Sequence, residues 1–536
     1  MFFKGGKGIF KKNFKKSECG MLKKLVQDYG VKCCFWLIML VGIGARVLFL
    51  GSIPGGLNQD EAYVAYEAFS MLEFGVDSWG FKNPCYFVSW GSGMNVFYAY
   101  LLKVFFACLG YSEWVIRLPQ SIMSVVGAYV LYLFLDKGYG KKVALFGLFL
   151  IMIMPWSIMG ARWGLESALL PACLMVSVMC LVKGFDDVKF LYFSFLGFGC
   201  CLYTYAVCWG FLAMFLPLAV GYFWWYNKDK WKNILLAGGG LFVMALPLIW
   251  FLLVNVWGVE QYKGEWLSVP KLVYWRGNEW GYGDLKVKLE ALYYVFILQN
   301  RMVIREVIEG VGLFYKYWWV LFVLGMWGVC ADIKNKGIKD AKISVILVLW
   351  FVVGLMYAMG LYASGTRVNF LFMPVMAIMA VGGKVMLKNK WLACVVVGLY
   401  LVCFAGFLRV YFGDNDRVMG EYFSVGLKEA LEYADKERQV NFERVVVIDN
   451  VASYPKVLWF RKISQDEFMR SVAWKRYPDA YLEAKWISHY EFVENFDKLK
   501  IEDNKIYIIE KKYAPFFYKF DKKEFGRFIV AVPKAL

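Results

Sequence analysis

Apolar runs long enough to cross a lipid bilayer recur along most of this chain, from Cys33 to Arg409. Each run is about 20 residues long, which is the length that an α-helix needs to span the hydrocarbon core. Of the 536 residues, 60% are hydrophobic and 19% are aromatic, so the apolar surface is more than a soluble domain can bury. The sequence therefore predicts an α-helical polytopic membrane protein.

The composition changes after residue 410. Residues 411–536 are richer in charge and contain the amphipathic pattern SVGLKEALEYADKE and the strand-like runs RVVVIDN, KIYIIEK and FIVAVP. Such a mixture predicts one small α/β domain of about 125 residues. The expected organisation is a basic tail (1–32), a transmembrane module (33–410) and this carboxyl-terminal domain.

Composition also excludes several kinds of site. The net charge is +18, but the lysines lie between the apolar runs rather than on a basic face with interleaved aromatics, so nucleic acid is not an expected partner. Most of the 13 cysteines lie within apolar segments and none has CxxC spacing, which argues against a disulfide framework and against a zinc or iron–sulfur site. His489 is the only histidine, which excludes a multi-histidine metal site.

The lysines indicate which side of the membrane each loop occupies. The Lys-rich tail is placed in the cytoplasm because positive charge is retained on that side. If residues 93–110 crossed the membrane, every later Lys-rich loop would lie outside, so this run is predicted to lie at the outer face. Outer loops are then expected at 52–114 and 256–312, and the carboxyl-terminal domain is extracytoplasmic. Eleven spans follow, near 33–51, 115–135, 142–160, 165–183, 190–208, 209–226, 233–255, 313–331, 342–361, 367–385 and 391–410.

This topology places a set of ionisable residues at or near the outer face. Such residues are functional candidates, because charge at the membrane boundary costs free energy unless it is paired or hydrated. They are Asp60, Lys82, Arg117, Arg162, Glu166, Arg276, Arg301, Arg305 and Arg367.

Asp60 and Glu61 open the stretch DEAYVAYEAFSMLEFG behind the first span. One interpretation is a helix cap, since Asn58 followed by Glu61 fits a capping box and acids suit a helix amino terminus. Capping does not require Asp60, which leaves that carboxylate for chemistry. A helix here is expected to lie on the bilayer with its amino end toward the headgroups.

A second acid, Glu166, lies in PWSIMGARWGLESALLP. Arg162 precedes it by four residues, so a helical ion pair between them is the structural alternative. The predicted topology puts Glu166 on the same side of the membrane as Asp60, which favours a shared site.

Four motifs occur in an order that resembles the GT-C glycosyltransferases: PGGLNQDEAYVAYEAFSMLEFGVDSWGFKNP, LGYSEWVIRLPQSIMS, PWSIMGARWGLESALLP and TRVNFLFMP. The chain is similar to the branch that holds protein O-mannosyltransferases and the lipid A aminoarabinose transferase. The resemblance implies a multi-pass enzyme that transfers a sugar from a polyprenyl phosphate carrier, with inversion, to an envelope glycan, lipid or protein on the outer face.

The resemblance also implies residue roles. Asp60 matches the catalytic acid of the first outer loop, which would act as the base, and Glu166 matches the second acidic position. Lys82 resembles a lysine near the carrier phosphate. Arginine forks suit a phosphate, and the predicted substrate-binding set is Glu61, Lys82, Arg162, Arg276, Arg301, Arg305 and Arg367.

Some alternatives stay open from the sequence. The arginines could anchor at the interface or pair with Glu279, Glu306 or Glu309, and Asp60 and Glu166 could hold a divalent cation. A transporter of lipid-linked sugars would also be polytopic, but the inverted repeats and interrupted helices of that class are not detected. A non-catalytic envelope scaffold would leave the outer-face charges without a task.

Overall fold

The computed structural model describes residues 29–277, 284–299, 306–308, 310–413, 415–448, 454–494 and 496–534. Most of the predicted basic tail and the predicted phosphate ligands Arg301 and Arg305 lie outside the described residues.

Helices make up the membrane module, and they occur where the apolar runs predict them. The first ten are α1 Tyr29–Val47, α2 Gln59–Glu73, α3 Phe97–Leu109, α4 Glu113–Tyr139, α5 Lys141–Ile153, α6 Pro155–Ala161, α7 Leu170–Gly184, α8 Lys189–Leu202, α9 Val207–Tyr226 and α10 Trp231–Val256. The next five are α11 Leu285–Tyr293, α12 Trp318–Asp340, α13 Lys342–Met359, α14 Phe372–Met386 and α15 Lys390–Gly413.

Within the described segments, eight helices are long and apolar enough to cross a membrane, and α5 with α6 would make nine. A bend of 59° separates that pair. The sequence predicts eleven spans, and the difference arises at α8, which has only 14 residues, and at α12, whose last turns are the charged stretch DIKNKGIKD. The protein is nonetheless a multi-pass membrane protein with a carboxyl-terminal sheet domain, as predicted.

The Lys-rich loops that the sequence assigns to one side of the membrane do meet at one end of the helices. Lys137, in the last turn of α4, pairs with Asp186, after α7, at 2.6 Å. Lys342 at the start of α13 approaches the same carboxylate at 3.5 Å. The Tyr222 hydroxyl of α9 donates to the Ile338 carbonyl at 2.7 Å. These contacts leave the opposite ends of α4 and α7 for the outer loops.

Helix α2 differs from its predicted place on the bilayer surface. Residues Glu61–Met71 are all buried, on both faces of the helix. The Tyr66 hydroxyl donates to the carbonyl of Ile463 in the carboxyl-terminal domain at 2.9 Å, and Phe69 contacts Trp459 of that domain edge to face. The helix is therefore enclosed between the membrane module and the domain, and only its amino terminus is directed at a cavity.

The carboxyl-terminal domain is α/β, as predicted. Its helices are α16 Asn415–Phe423, α17 Leu427–Asn441, α18 Tyr454–Arg461 and α19 Gln465–Ser471. Two short strands between α10 and α11, β1 Tyr262–Lys263 and β2 Ser268–Val269, form a separate antiparallel pair. The strands of the carboxyl-terminal domain are β3 Arg444–Ile448, β4 Ala473–Trp474, β5 Ala484–Ile487, β6 Tyr490–Val493, β7 Lys505–Glu510, β8 Phe520–Phe525 and β9 Phe528–Pro533. They form one seven-stranded sheet of order β4-β5-β6-β3-β7-β9-β8, in which β3 is parallel to both neighbours and the remaining pairs are antiparallel.

Candidate active site

A cavity of about 660 Å³ opens where the ends of the membrane helices that lie away from Asp186 meet the carboxyl-terminal domain. It brings together four residues that the sequence singles out, although they come from four separate segments of the chain. They are Asp60, Glu166, Arg276 and Arg367. These two carboxylates and two guanidinium groups therefore share one enclosure.

The first turn of α2 carries Asp60. Asn58 caps this helix: its side-chain oxygen accepts a hydrogen bond from the Asp60 N–H at 3.0 Å, and the Glu61 carboxylate accepts from the Asn58 N–H at 3.3 Å. The predicted capping box is thus present. Asn58 and Glu61 supply both of its side chains, and Asp60 lines the cavity.

Glu61 does not line the cavity, so the structure does not support its predicted contact with substrate. Its carboxylate pairs with Arg117 of α4 at 2.8 and 3.1 Å, and both side chains are fully buried. Glu61 also accepts the N–H of Gly164 at 3.0 Å. Since Gly164 lies two residues before Glu166, the Glu61 carboxylate joins the segment that carries Asp60 to the segment that carries Glu166.

Glu166 begins a 3-10 turn that leads into α7, and only 9% of it is exposed. The turn is held by amide groups: Asn369 donates to the Ser167 carbonyl at 2.7 Å, and Gln120 donates to the Ala168 carbonyl at 2.8 Å. No described residue donates a hydrogen bond to Glu166 Oε2. The negative charge of Asp60 acts on this carboxyl group, so the two acids are electrostatic neighbours.

Arg162 has a structural position, contrary to both sequence interpretations. Helix α6 ends at Ala161, so Arg162 and Glu166 do not lie on one helical face. The guanidinium is fully buried and donates to main-chain carbonyls at and beyond the end of α1, those of Ala45, Arg46, Phe49 and Ile53, at 2.7–3.2 Å. Arg162 thus satisfies the terminal carbonyls of α1, and it does not line the cavity.

Lys82 also lies outside the cavity lining. Its ammonium group pairs with Glu265 of the second outer loop at 2.7 Å, and both side chains are largely exposed. This contact joins the two outer loops but gives Lys82 no place beside the cavity acids.

The two cavity arginines are held by the loops around them. Arg276 donates to the hydroxyl of Ser92. Arg367 donates to the Tyr362 carbonyl at 3.4 Å. Both residues therefore contribute cationic groups to the lining of the cavity.

Glu306 fixes the loop that carries Arg367, and the sequence did not predict this role. Its carboxylate accepts hydrogen bonds from the Gly365 N–H at 2.9 Å and from the Thr366 hydroxyl at 2.7 Å. The side chain is buried and lines the cavity. In the sequence, Glu306 is an acid close to Arg301 and Arg305 in a predicted outer loop. That position indicates an ion pair with these arginines as readily as a role in holding another loop.

Aromatic rings form much of the remaining wall. They come from loops and helix ends of the membrane module and from the carboxyl-terminal domain: Tyr86, Trp90, Trp163, Tyr205, Trp209, Trp275, Tyr357, Tyr362 and Tyr481. Aromatic side chains combine an apolar face with a polar edge, which suits ligands that are part sugar and part hydrocarbon.

The described residues contain no group of three or more His, Cys, Asp or Glu side chains placed to hold a metal ion. Asp60 and Glu166 are thus two acids without a third protein ligand in this part of the chain.

Comparison with known proteins agrees with this architecture. Residues 95–257 match the family model of dolichyl-phosphate-mannose-protein mannosyltransferases. The fold is similar to that of ArnT from Cupriavidus metallidurans bound to undecaprenyl phosphate, with a TM-score of 0.52 and 12% identity, over 93% of this chain and 97% of that one. The apo form of the same protein gives a TM-score of 0.51 at 12% identity, over 94% and 98%.

The archaeal oligosaccharyltransferase AglB from Archaeoglobus fulgidus, in complex with an inhibitory peptide and a dolichol-phosphate, is 14% identical with a TM-score of 0.48. That match covers 82% of this chain and 64% of AglB. A search of curated protein sequences gave no match.

Proposed function

The chain has the fold of the GT-C membrane glycosyltransferases, and from this premise we propose that it transfers a sugar from a polyprenyl phosphate to a hydroxyl of an envelope acceptor. The acceptor is a glycan, a lipid or a protein on the outer face of the membrane. The observation that carries the proposal is the single cavity in which Asp60, Glu166, Arg276 and Arg367 meet.

The positions of the lysines support an outer-face reaction. The cavity lies at the amino-terminal ends of α4 and α7, whereas Lys137 and Lys342 meet Asp186 at the other end of the helices. Positive charge is retained on the cytoplasmic side. On this ground we place the amino terminus in the cytoplasm and the carboxyl-terminal domain outside.

Arg276 and Arg367 are the proposed ligands of the donor phosphate. Guanidinium forks bind phosphate oxygens well and stabilise the charge that collects on a departing phosphate. A phosphate leaving group on a lipid needs a cationic site, and both guanidinium groups line this cavity. The structural neighbour ArnT is known with undecaprenyl phosphate bound, which makes a polyprenyl carrier the donor to test first.

Asp60 is the proposed base. The acceptor hydroxyl oxygen attacks the anomeric carbon, the bond from that carbon to the phosphate oxygen breaks with inversion, and the hydroxyl proton passes to the Asp60 carboxylate. A base held in position in this way contributes about 10²–10⁴-fold to the rate. The charge of Asp60 acts on Glu166, and Glu166 Oε2 accepts no hydrogen bond from the described residues. We therefore propose that Glu166 accepts a hydrogen bond from a hydroxyl of the sugar or acceptor.

The two rival functions are disfavoured by specific features of the cavity. A non-catalytic scaffold does not require two buried or half-buried acids in one cavity with two arginines. A transporter requires an opening to each side of the membrane, and the cavity's described lining comes from the outer ends of the helices and from the outer loops.

A transfer assay with defined donors tests the proposal. Purified protein is incubated with polyprenyl phosphate sugars and extracted envelope acceptors, and the linkage of the product is determined by NMR. We expect transfer with inverted anomeric configuration. Export of the intact lipid-linked sugar across proteoliposome membranes without transfer would contradict the proposal.

A further inference from the structure

A second, open groove of about 840 Å³ lies beside the cavity, between the second outer loop and the carboxyl-terminal domain. Side chains from three parts of the chain line it. They include Trp79, Phe81, Lys263, Lys271 and Tyr477. None of these residues contributes to the cavity that holds Asp60.

The groove adjoins the cavity, because the same three segments form part of the wall of both. Residues 88–92, 271–277 and 477–481 each line the groove at their first residues and the cavity at their later ones. A ligand that lay along the groove would therefore meet the cavity at its inner end.

Main-chain hydrogen bonds hold the three segments together. The Leu482 N–H donates to the Trp90 carbonyl at 2.8 Å, and the Tyr274 N–H donates to the Gly91 carbonyl at 2.9 Å. Gly91 has a φ of +80°, and a Cβ at this position would lie 2.7 Å from the Leu482 side chain, so only glycine permits this approach. The boundary between groove and cavity is thus fixed by the docking of the carboxyl-terminal domain.

The groove has the chemistry of a site for an acidic glycan. Tyr477 and Trp79 provide ring surfaces, and the tyrosine is 61% exposed. Lys263 lies over the Phe81 ring, with 4.5 Å between its ammonium and the ring centroid, and Lys271 is exposed. Glu260 is the one acid among the described lining residues, so cations exceed anions. Rings stack against sugar faces, and the excess of lysine favours a ligand that carries negative charge.

We propose that this groove binds an extended acidic glycan, which is the acceptor, and directs its end to Asp60. The identification of this glycan as the acceptor rests on the proposed transferase function, whereas its binding to the groove does not depend on transfer. A chain of sugars that bears carboxylates or phosphates would lie across the rings, with its charges beside Lys263 and Lys271.

Binding is tested on the full-length protein in nanodiscs by isothermal titration calorimetry. The probes are hexagalacturonic acid, the neutral hexasaccharide maltohexaose and the acidic peptide hexaglutamate. The variant Lys263→Ala/Lys271→Ala is compared with Lys519→Ala/Lys522→Ala, which removes two exposed lysines outside the groove. We expect wild type to bind hexagalacturonic acid in preference to both other probes. The groove variant should bind it about tenfold more weakly, which is within the range that two exposed charges contribute.

Equal binding by the two double variants, no binding by wild type, or a preference for hexaglutamate would overturn the proposal. The proposed glycan site in the groove and the proposed transferase function can be refuted independently. If hexagalacturonic acid binds in the groove and no donor supports transfer, the function is wrong and the groove stands. If transfer occurs but the groove variant leaves both glycan binding and the KM for acceptor unchanged, the groove assignment is wrong.

Discussion

The ring of Tyr481 in the carboxyl-terminal domain stacks on Trp90 of the first outer loop, with 4.6 Å between the ring centroids and 10° between the planes. Both rings line the cavity that contains Asp60 and Glu166. Trp90 has a φ of +60°, a backbone conformation that non-glycine residues adopt only when their surroundings impose it. The carboxyl-terminal domain is therefore part of the candidate active site.

The stack predicts a specific sensitivity of transfer to Tyr481. An aromatic pair contributes about 0.5–1.5 kcal/mol beyond its buried area, so Tyr481→Ala should lower kcat/KM by about twofold to tenfold. Tyr481→Phe, which keeps the ring, should retain most of the activity. Tyr518→Ala is the matched control, since Tyr518 is 73% exposed and lies outside the cavity. Equal activity of the alanine variant and wild type would show that the stack has no part in transfer.

Glu306 should act through the loop that carries Arg367. In Glu306→Gln, an amide replaces the carboxylate that accepts from Gly365 and Thr366, and a hydrogen bond to a charged group contributes about 1.5–3 kcal/mol. We expect weaker donor binding and a fall in transfer of about tenfold or more. Thr366→Val removes one donor of the same network, so the double variant should lose less than the sum of the single variants. Additive losses would contradict a shared role.

The Glu61–Arg117 pair should be essential for stability. Removing one partner of a fully buried pair leaves an uncompensated charge and costs about 3–5 kcal/mol. Glu61→Gln should therefore lower the thermal midpoint markedly, whereas Glu432→Gln, at an exposed position, should not. The comparison is made by thermal denaturation in detergent, and an unchanged midpoint for Glu61→Gln would refute the assigned structural role.

Lys462 makes the stability depend on pH. It lies among the rings of Phe69 and Trp459, no described residue accepts a hydrogen bond from its ammonium, and burial lowers its pKa to about 6 from an ordinary 10.5. Between these values the unfolded chain binds a proton that the folded chain does not, so the free energy of unfolding rises with pH across that window.

Lys462→Met should abolish that rise. The variant should be more stable than wild type near neutral pH, because each unit of the lowered pKa corresponds to about 1.4 kcal/mol, and its advantage should shrink as the pH approaches 10.5. Thermal midpoints at about pH 6.5 and about pH 9.5 check this sign. Lys485→Met, at an exposed position, is the control. A constant difference between wild type and Lys462→Met at both pH values would contradict the titration.

The local sequence pattern was sufficient to predict the helices and the positions of Asp60 and Glu166 in one cavity. Asp60 could be predicted because the capping box is complete without it, and Glu166 because the lysines place it on the same side of the membrane. The same reasoning failed for Arg162 and Glu61. Their residue types and boundary positions match those of ligands, but the carbonyls at the end of α1 and the guanidinium of Arg117 occupy them.

Long-range contacts account for what the sequence could not predict. Tyr481 lies roughly four hundred residues from Trp90, and no periodicity links a loop of the soluble domain to the first outer loop. Helix α2 has an amphipathic pattern that favours a bilayer surface, but the carboxyl-terminal domain covers its other face. Glu306 forms no motif with Gly365 and Thr366, so only the folded structure shows that it supports Arg367.

The most direct test of the account is a comparison of Asp60→Asn with wild type in the transfer assay, with donor binding measured on the same preparations. Asp229→Asn, at an exposed position between α9 and α10, is the matched control. We predict that Asp60→Asn binds the polyprenyl phosphate sugar as wild type does and transfers it at least about 10²-fold more slowly, because the base is missing. Transfer by Asp60→Asn at the wild-type rate would contradict the assignment of Asp60 as the base.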